Sequence, residues 1–156
     1  MTTLSRSDAP THDRSSAVDL PRHVRLMSAG WGWFMLAMAA VNGAMAAAGR
    51  SQLYVAFIDD TYVELYGRAW ETLVAPQPLP WVLALTVFEA SVGVATLRGG
   101  RARLVGLAAS VVFVAALTPA SPYTLGNPVL AALPAYLLVR HVRTRRQPAP
   151  DESIGG

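Results

Sequence analysis

Apolar positions in this chain fall into long runs, divided by short intervals that carry nearly all of the arginines. The most regular pair lies between Pro80 and Pro119. WVLALTVFEASVGVATL (Trp81–Leu97) and ARLVGLAASVVFVAALT (Ala102–Thr118) flank a turn with Arg98, Gly99, Gly100 and Arg101. Each run is 17 residues long, the lower limit for a helix that crosses the hydrocarbon of a bilayer. So short a turn forces the two helices to be antiparallel neighbours.

An earlier run, Leu26 to Ala48, holds 23 residues without a charge. That is enough to span with some tilt. Trp31 and Trp33 near its start suit the interfacial belt where indole rings settle. Ala46-Ala47-Ala48 resembles a small-residue cleavage site, but the apolar stretch is longer than a signal-peptide core and follows a long polar tail. A fourth run, Val129 to Val139, reaches spanning length only if it begins near Thr124. Pro134 in its middle predicts a kink or a freed carbonyl.

The interval from Gly49 to Pro80 has its own pattern. Tyr54, Phe57, Ile58, Tyr62, Leu65, Tyr66, Ala69 and Leu73 recur near a helical period, with Asp60, Glu64, Arg68 and Glu71 on the other face. It reads as an amphipathic helix on the outer surface, with Gly67 as a point where it could break. The stretch ASPYTLGNP (120–128) reads as an outer loop.

The predicted fold is therefore all-α, a transmembrane four-helix bundle with an extracellular amphipathic helical segment between the first two spans. The spans fall at about 26–48, 81–97, 102–118 and 124–139, within a membrane domain over 22–146. Polar tails at 1–21 and 147–156 read as disordered.

Composition agrees. Of 156 residues, 53% are hydrophobic and 15% charged, with mean hydropathy +0.33, whereas a soluble domain carries about a quarter charged. All 13 basic residues are arginine, a bias of GC-rich bacterial genomes, and the bacterial plasma (inner) membrane is the expected location. The net charge of +3 and pI near 9.8 do not point to nucleic acid, because the arginines track the ends of apolar runs. Eleven lie in the N-terminal segment, the 98–103 turn and the C-terminal segment, and two in the 49–80 interval. The excess predicts both termini and the turn on the cytoplasmic side.

Without cysteine, thiol catalysis, disulfides and cysteine-held metals are excluded. His12, His23 and His141 do not cluster with carboxylates, and Asp59-Asp60 has no third fixed ligand, so no metal or other cofactor is indicated. No Ser/His/Asp set, phosphate loop or HExxH motif is present, which weighs against an enzyme.

One residue stands out chemically. Glu89 lies nine residues from Pro80 and nine from Arg98, roughly 13 Å from either end at about 1.5 Å per residue. A carboxylate near the midplane is costly unless it faces the bundle and finds a donor. It serves either as a proton-linked or ligand-binding group or as a polar clamp between helices, and the sequence leaves both open. Asn42 is the preferred partner. Thr86, Ser110 and Thr118 are nearby polar candidates, and Tyr123 and Asn127 complete the candidate ligand-binding set from the outer loop. Small residues at four-residue spacing, Ala39/Gly43/Ala47, Ala102/Gly106/Ser110 and Ser91/Ala95, mark close helix contacts.

The segments FEASVGVATLRGGRARLVGLAASVVF and YVAFIDDTYVELYGRAWETLVAP resemble the DoxX-like family of small four-span bacterial membrane proteins, over roughly Arg25 to His141. Many relatives carry Gly followed by Lys where this chain has Asn42-Gly43. The resemblance implies a non-enzymatic accessory or scaffold subunit of a membrane-associated complex, redox complexes among them. The alternative is a small transporter, or a small-molecule or quinone binder, working through Glu89. The expected partners are the lipid bilayer and a protein partner or second copy of the chain.

Overall fold

The computed structural model describes residues 20–58, 63–118 and 126–146. These form α1 (Arg22–Ala47), a 3-10 helix (Ser51–Ile58), α2 (Glu64–Leu73), α3 (Pro78–Arg98), α4 (Gly100–Leu117) and α5 (Gly126–Arg146). No strand occurs among the described residues. The two tails, Asp59-Asp60 and the 119–125 stretch with Tyr123 lie outside them.

Three helices, α1, α3 and α4, are long and apolar enough to cross a membrane. α5 has the length but not the composition, because Arg140, Arg143, Arg145 and Arg146 occupy its last two turns. α5 is helical on both sides of Pro134, whose ring is fully buried and whose missing N–H leaves the Leu130 carbonyl without its usual intrahelical donor. The outward positions of the long helices are apolar: Trp33, Val87, Val112 and Val129 are all more than three-fifths exposed. Isolated apolar residues on a surface are ordinary, but this many on the long helices are consistent with contact with a lipid bilayer.

Each helix boundary has a local cause. α1 ends at Gly49, whose φ of +67° few other residues tolerate. There the Gly49 and Arg50 amides return to the Ala46 and Met45 carbonyls at 3.1 and 2.9 Å, so the chain turns sharply with its last carbonyls satisfied. α3 starts on Pro78, at a position where a missing N–H costs nothing. α3 and α4 are joined by Gly99 alone, with φ +80° there and +59° at Gly100. Arg103 Nε then donates to the Thr96 carbonyl at 3.0 Å and closes the end of α3.

The long helices pack in a ring, α1 on α3, α3 on α4, α4 on α5 and α5 back on α1. Val24, Trp31, Met35, Val92, Leu107 and Leu137 fill its centre. Glycines set two of the seams. A Cβ at Gly93 would lie 2.9 Å from the Gly32 carbonyl oxygen, and one at Gly106 would lie 3.0 Å from the Val92 carbonyl oxygen. Gly106 is thus part of the α3–α4 contact, while Ser110, one turn on, meets Trp31 of α1. α1 and α3 approach tightly at Gly32 and Gly93, and of the Ala39/Gly43/Ala47 stripe Ala39 is buried and Gly43 lies against Thr86 of α3, while Ala47 is exposed. Ser91 also faces outward.

The 49–80 interval is two helical pieces rather than one amphipathic helix. Val63 is extended at φ −114°, ψ 102°, interrupts the helical pattern and stands at the N-cap of α2. Gly67 lies inside α2. α2 itself is strongly two-faced and buries no residue fully, while the 3-10 helix packs on α3. Trp81 Nε1 donates to the Leu73 carbonyl at 2.8 Å and tethers the end of α2 to the start of α3.

Candidate functional site

Glu89 and Asn42 face each other across the α1–α3 seam, 4% and 3% exposed. Asn42 Nδ2 donates to Glu89 Oε2 at 2.6 Å. The Tyr54 hydroxyl, on the 3-10 helix, donates to Asn42 Oδ1 and sits 3.9 Å from Met45 Sδ. The Asn42 amide is therefore held from both sides, and one donor of a buried carboxylate is fixed in place. Burial, and after it the Glu89 carboxylate, hold the Tyr54 phenol above its ordinary value of 10.0, so Tyr54 remains a donor at any physiological pH.

The three residues form the polar corner of a cavity of about 380 Å³. Asn127 lies on its wall and donates to the Leu117 carbonyl at 3.3 Å, tying the start of α5 to the end of α4. The remaining lining is apolar and soft: Trp31, Phe34 and Phe113, three methionines and aliphatic side chains. Trp31 and Phe34 are tilted against each other at 5.2 Å between centroids. Trp31 Nε1 is engaged by Ser110 Oγ at 2.9 Å. No Arg or Lys lines this cavity among the described residues.

A second chamber of about 300 Å³ shares Tyr54, Leu85, Phe113 and Leu117 with the first. Its walls include Phe88 and the indoles of Trp70 and Trp81. Trp70 Nε1 is buried there without a hydrogen-bond partner among the described residues, which leaves an unengaged donor at a largely apolar wall.

Of the residues singled out from the sequence, Glu89, Asn42 and Asn127 line one cavity, and Tyr123 lies outside the described residues. The other nearby polar groups are satisfied elsewhere. Thr86 and Thr118 bond the Val82 and Val114 carbonyls at 2.8 and 2.9 Å, and Ser110 bonds Gly106 at 2.9 Å. Tyr54 was hidden in the sequence among the apolar positions of the 49–80 interval. Only the turn at Gly49 brings it back over Asn42.

A second buried polar contact joins α1 and α5 at the opposite end of the bundle. Ser28 Oγ donates to the Val24 carbonyl at 2.7 Å and lies 3.2 Å from His141 Nε2. Burial, then the positive charges of Arg103 and Arg145, lower His141 below its ordinary 6.5. Among the described residues no three His, Asp or Glu side chains converge to hold a metal.

Comparison with protein-family models, with curated proteins and with solved structures finds no match to the chain.

Proposed function

We propose that this is a four-span, DoxX-like protein of the bacterial plasma membrane that binds a small, largely apolar molecule inside the bundle. The reading takes α5 as the fourth span and puts both termini in the cytoplasm, following the arginine distribution. The observation that carries it is the cavity itself: an apolar space of about 380 Å³ with one polar corner built from Glu89, Asn42 and Tyr54. Ligand sites have this composition, apolar walls with a few convergent polar groups that fix orientation. A plain structural clamp would close the seam around the carboxylate rather than leave open volume beside it.

Gentle detergent extraction followed by small-molecule mass spectrometry tests the reading. A defined compound should accompany the wild-type chain and be lost from Val114→Trp, which fills the cavity. A wild-type chain that carries only bulk lipid in the same proportions as the variant counts against it.

An accessory role in a larger complex is the second reading, and a different surface supports it. Ala90, Ser91, Val94, Ala95 and Ala102, with Arg98 at one end, line an outward groove along α3 and α4, where the small side chains let another helix approach closely. Co-purification at native expression, with Ser91→Leu as the disrupting variant, separates this from a chain that works alone.

A further inference from the structure

We infer that the cavity at Glu89 takes a lipophilic cation, an aryl or alkyl ammonium or phosphonium, in exchange for a proton. The inference rests on the cavity's being a ligand site, and names the class of ligand.

Charge and lining point the same way. Glu89 is 4% exposed and accepts from one neutral amide at 2.6 Å. Neither Asn42 nor Tyr54 can neutralise it, and the described lining offers no arginine. In a membrane interior a neighbouring cation favours the charged carboxylate and its absence favours the protonated form, so cation and proton compete for the group at a given pH. Entry of a cation therefore favours release of the proton.

The walls suit the cationic partner in particular. Trp31, Phe34, Tyr54 and Phe113 all face the space that Glu89 borders. Aromatic faces attract a soft, weakly hydrated cation and hold it without hydrogen bonds, while a small, strongly hydrated ion would lose its water there for little return. Methionine thioethers add polarizable, shape-tolerant contacts.

Among the described residues, Asn42 contacts Glu89 from α1, and the cavity it borders is shared with Tyr54 of the 3-10 helix, Phe113 and Val114 of α4, and Asn127 of α5. Tyr54 is the one other titratable side chain among them, and it is neutral below pH 10. Proton exchange at this site therefore belongs to Glu89. The balance is simple: protonated Glu89 plus free cation gives the ion pair plus one proton in bulk water.

Equilibrium binding to the purified full-length chain in maltoside detergent tests this. The probes are benzyltriethylammonium, tetraphenylphosphonium and, as a matched anion, tetraphenylborate. Saturable binding of at least one cation is expected, with borate held no better than by detergent alone. Affinity should fall about tenfold per pH unit on the acidic side of the transition, with about one proton released per cation in weak buffer. Glu89→Gln should abolish binding and proton release, and Phe113→Leu should weaken binding without changing the proton count. If Glu89→Gln does not fold, the cation–anion comparison and the pH series on the wild-type chain still decide. Equal binding of phosphonium and borate, pH-independent binding, or no cation binding at all overturns the inference. A neutral compound that still co-purifies in those cases would leave the cavity reading standing, whereas its absence too would remove both.

Discussion

Asn42 Nδ2 reaches Glu89 Oε2 at 2.6 Å across the seam between α1 and α3. The contact joins residues 47 positions apart, and both are almost wholly buried. Asn42→Leu would keep the volume and leave the Glu89 carboxylate without the Asn42 donor. A buried polar group left without a partner costs about 1–3 kcal/mol. The variant should melt earlier in detergent, and Asn42→Leu/Glu89→Leu, which removes both ends, should recover part of that loss. Recovery is the informative outcome, because a mere packing defect would not be repaired by the second change.

The glycine seams make a separate prediction. A Cβ at Gly93 would meet the Gly32 carbonyl oxygen at 2.9 Å as well as the Leu36 side chain. Leu36 can swing aside, but the backbone of α1 cannot. Gly93→Val should therefore lower stability by about 1–3 kcal/mol or more, as overpacking does. Gly30, whose added Cβ would meet nothing within 4 Å, is the control: Gly30→Ala should be neutral or slightly stabilising through its better helix propensity. Melting of the two variants side by side distinguishes a steric seam from a general intolerance of α1 and α3 to substitution.

These seams also indicate what could be read in advance. The helical elements at 81–97 and 102–118 follow from long, mostly apolar runs, and the structure places them at Pro78–Arg98 and Gly100–Leu117. Glu89 was legible because a charge inside such a run has few places to go. The α1–α3 seam was not, since Gly32 and Gly93 lie on different helices and no spacing rule couples them. The same holds for Tyr54. Its role depends on a positive-φ turn at Gly49 and a 3-10 helix, and its own sequence neighbourhood reads as one face of a longer amphipathic helix. Periodicity reports which face of a helix is apolar, not which residue a turn will fold back onto another.

His141 carries a pH prediction. Its folded-state value lies below 6.5, chiefly from burial and then from Arg103 and Arg145. The unfolded chain therefore takes up the extra proton in the window just below 6.5. Stability is full above that pH and is lost as the pH falls through the folded-state value. The difference in melting temperature between the wild-type chain and His141→Gln should be constant from pH 8 to about 7 and move against the wild type on further acidification. His141→Gln keeps a polar partner for Ser28 without the titrating ring. A difference that stays constant on acidification would assign any acid sensitivity to another group.

The last prediction concerns the link between Tyr54 and Glu89. Burial is the larger cause that lifts the Tyr54 phenol above 10.0, and the Glu89 carboxylate adds to it. Of the five tyrosines in the chain, Tyr66 is also raised, by burial alone. Ultraviolet titration of the wild-type chain should thus show a late-ionising component with more than one tyrosine in it. Tyr54→Phe should remove one tyrosine from that component. Glu89→Gln should instead shift part of it to lower pH without removing it, because the charge is gone and the burial remains. A Glu89→Gln curve that superimposes on the wild type would mean that the carboxylate and the phenol do not sense each other, and the polar corner of the cavity would then have to be redrawn without Tyr54.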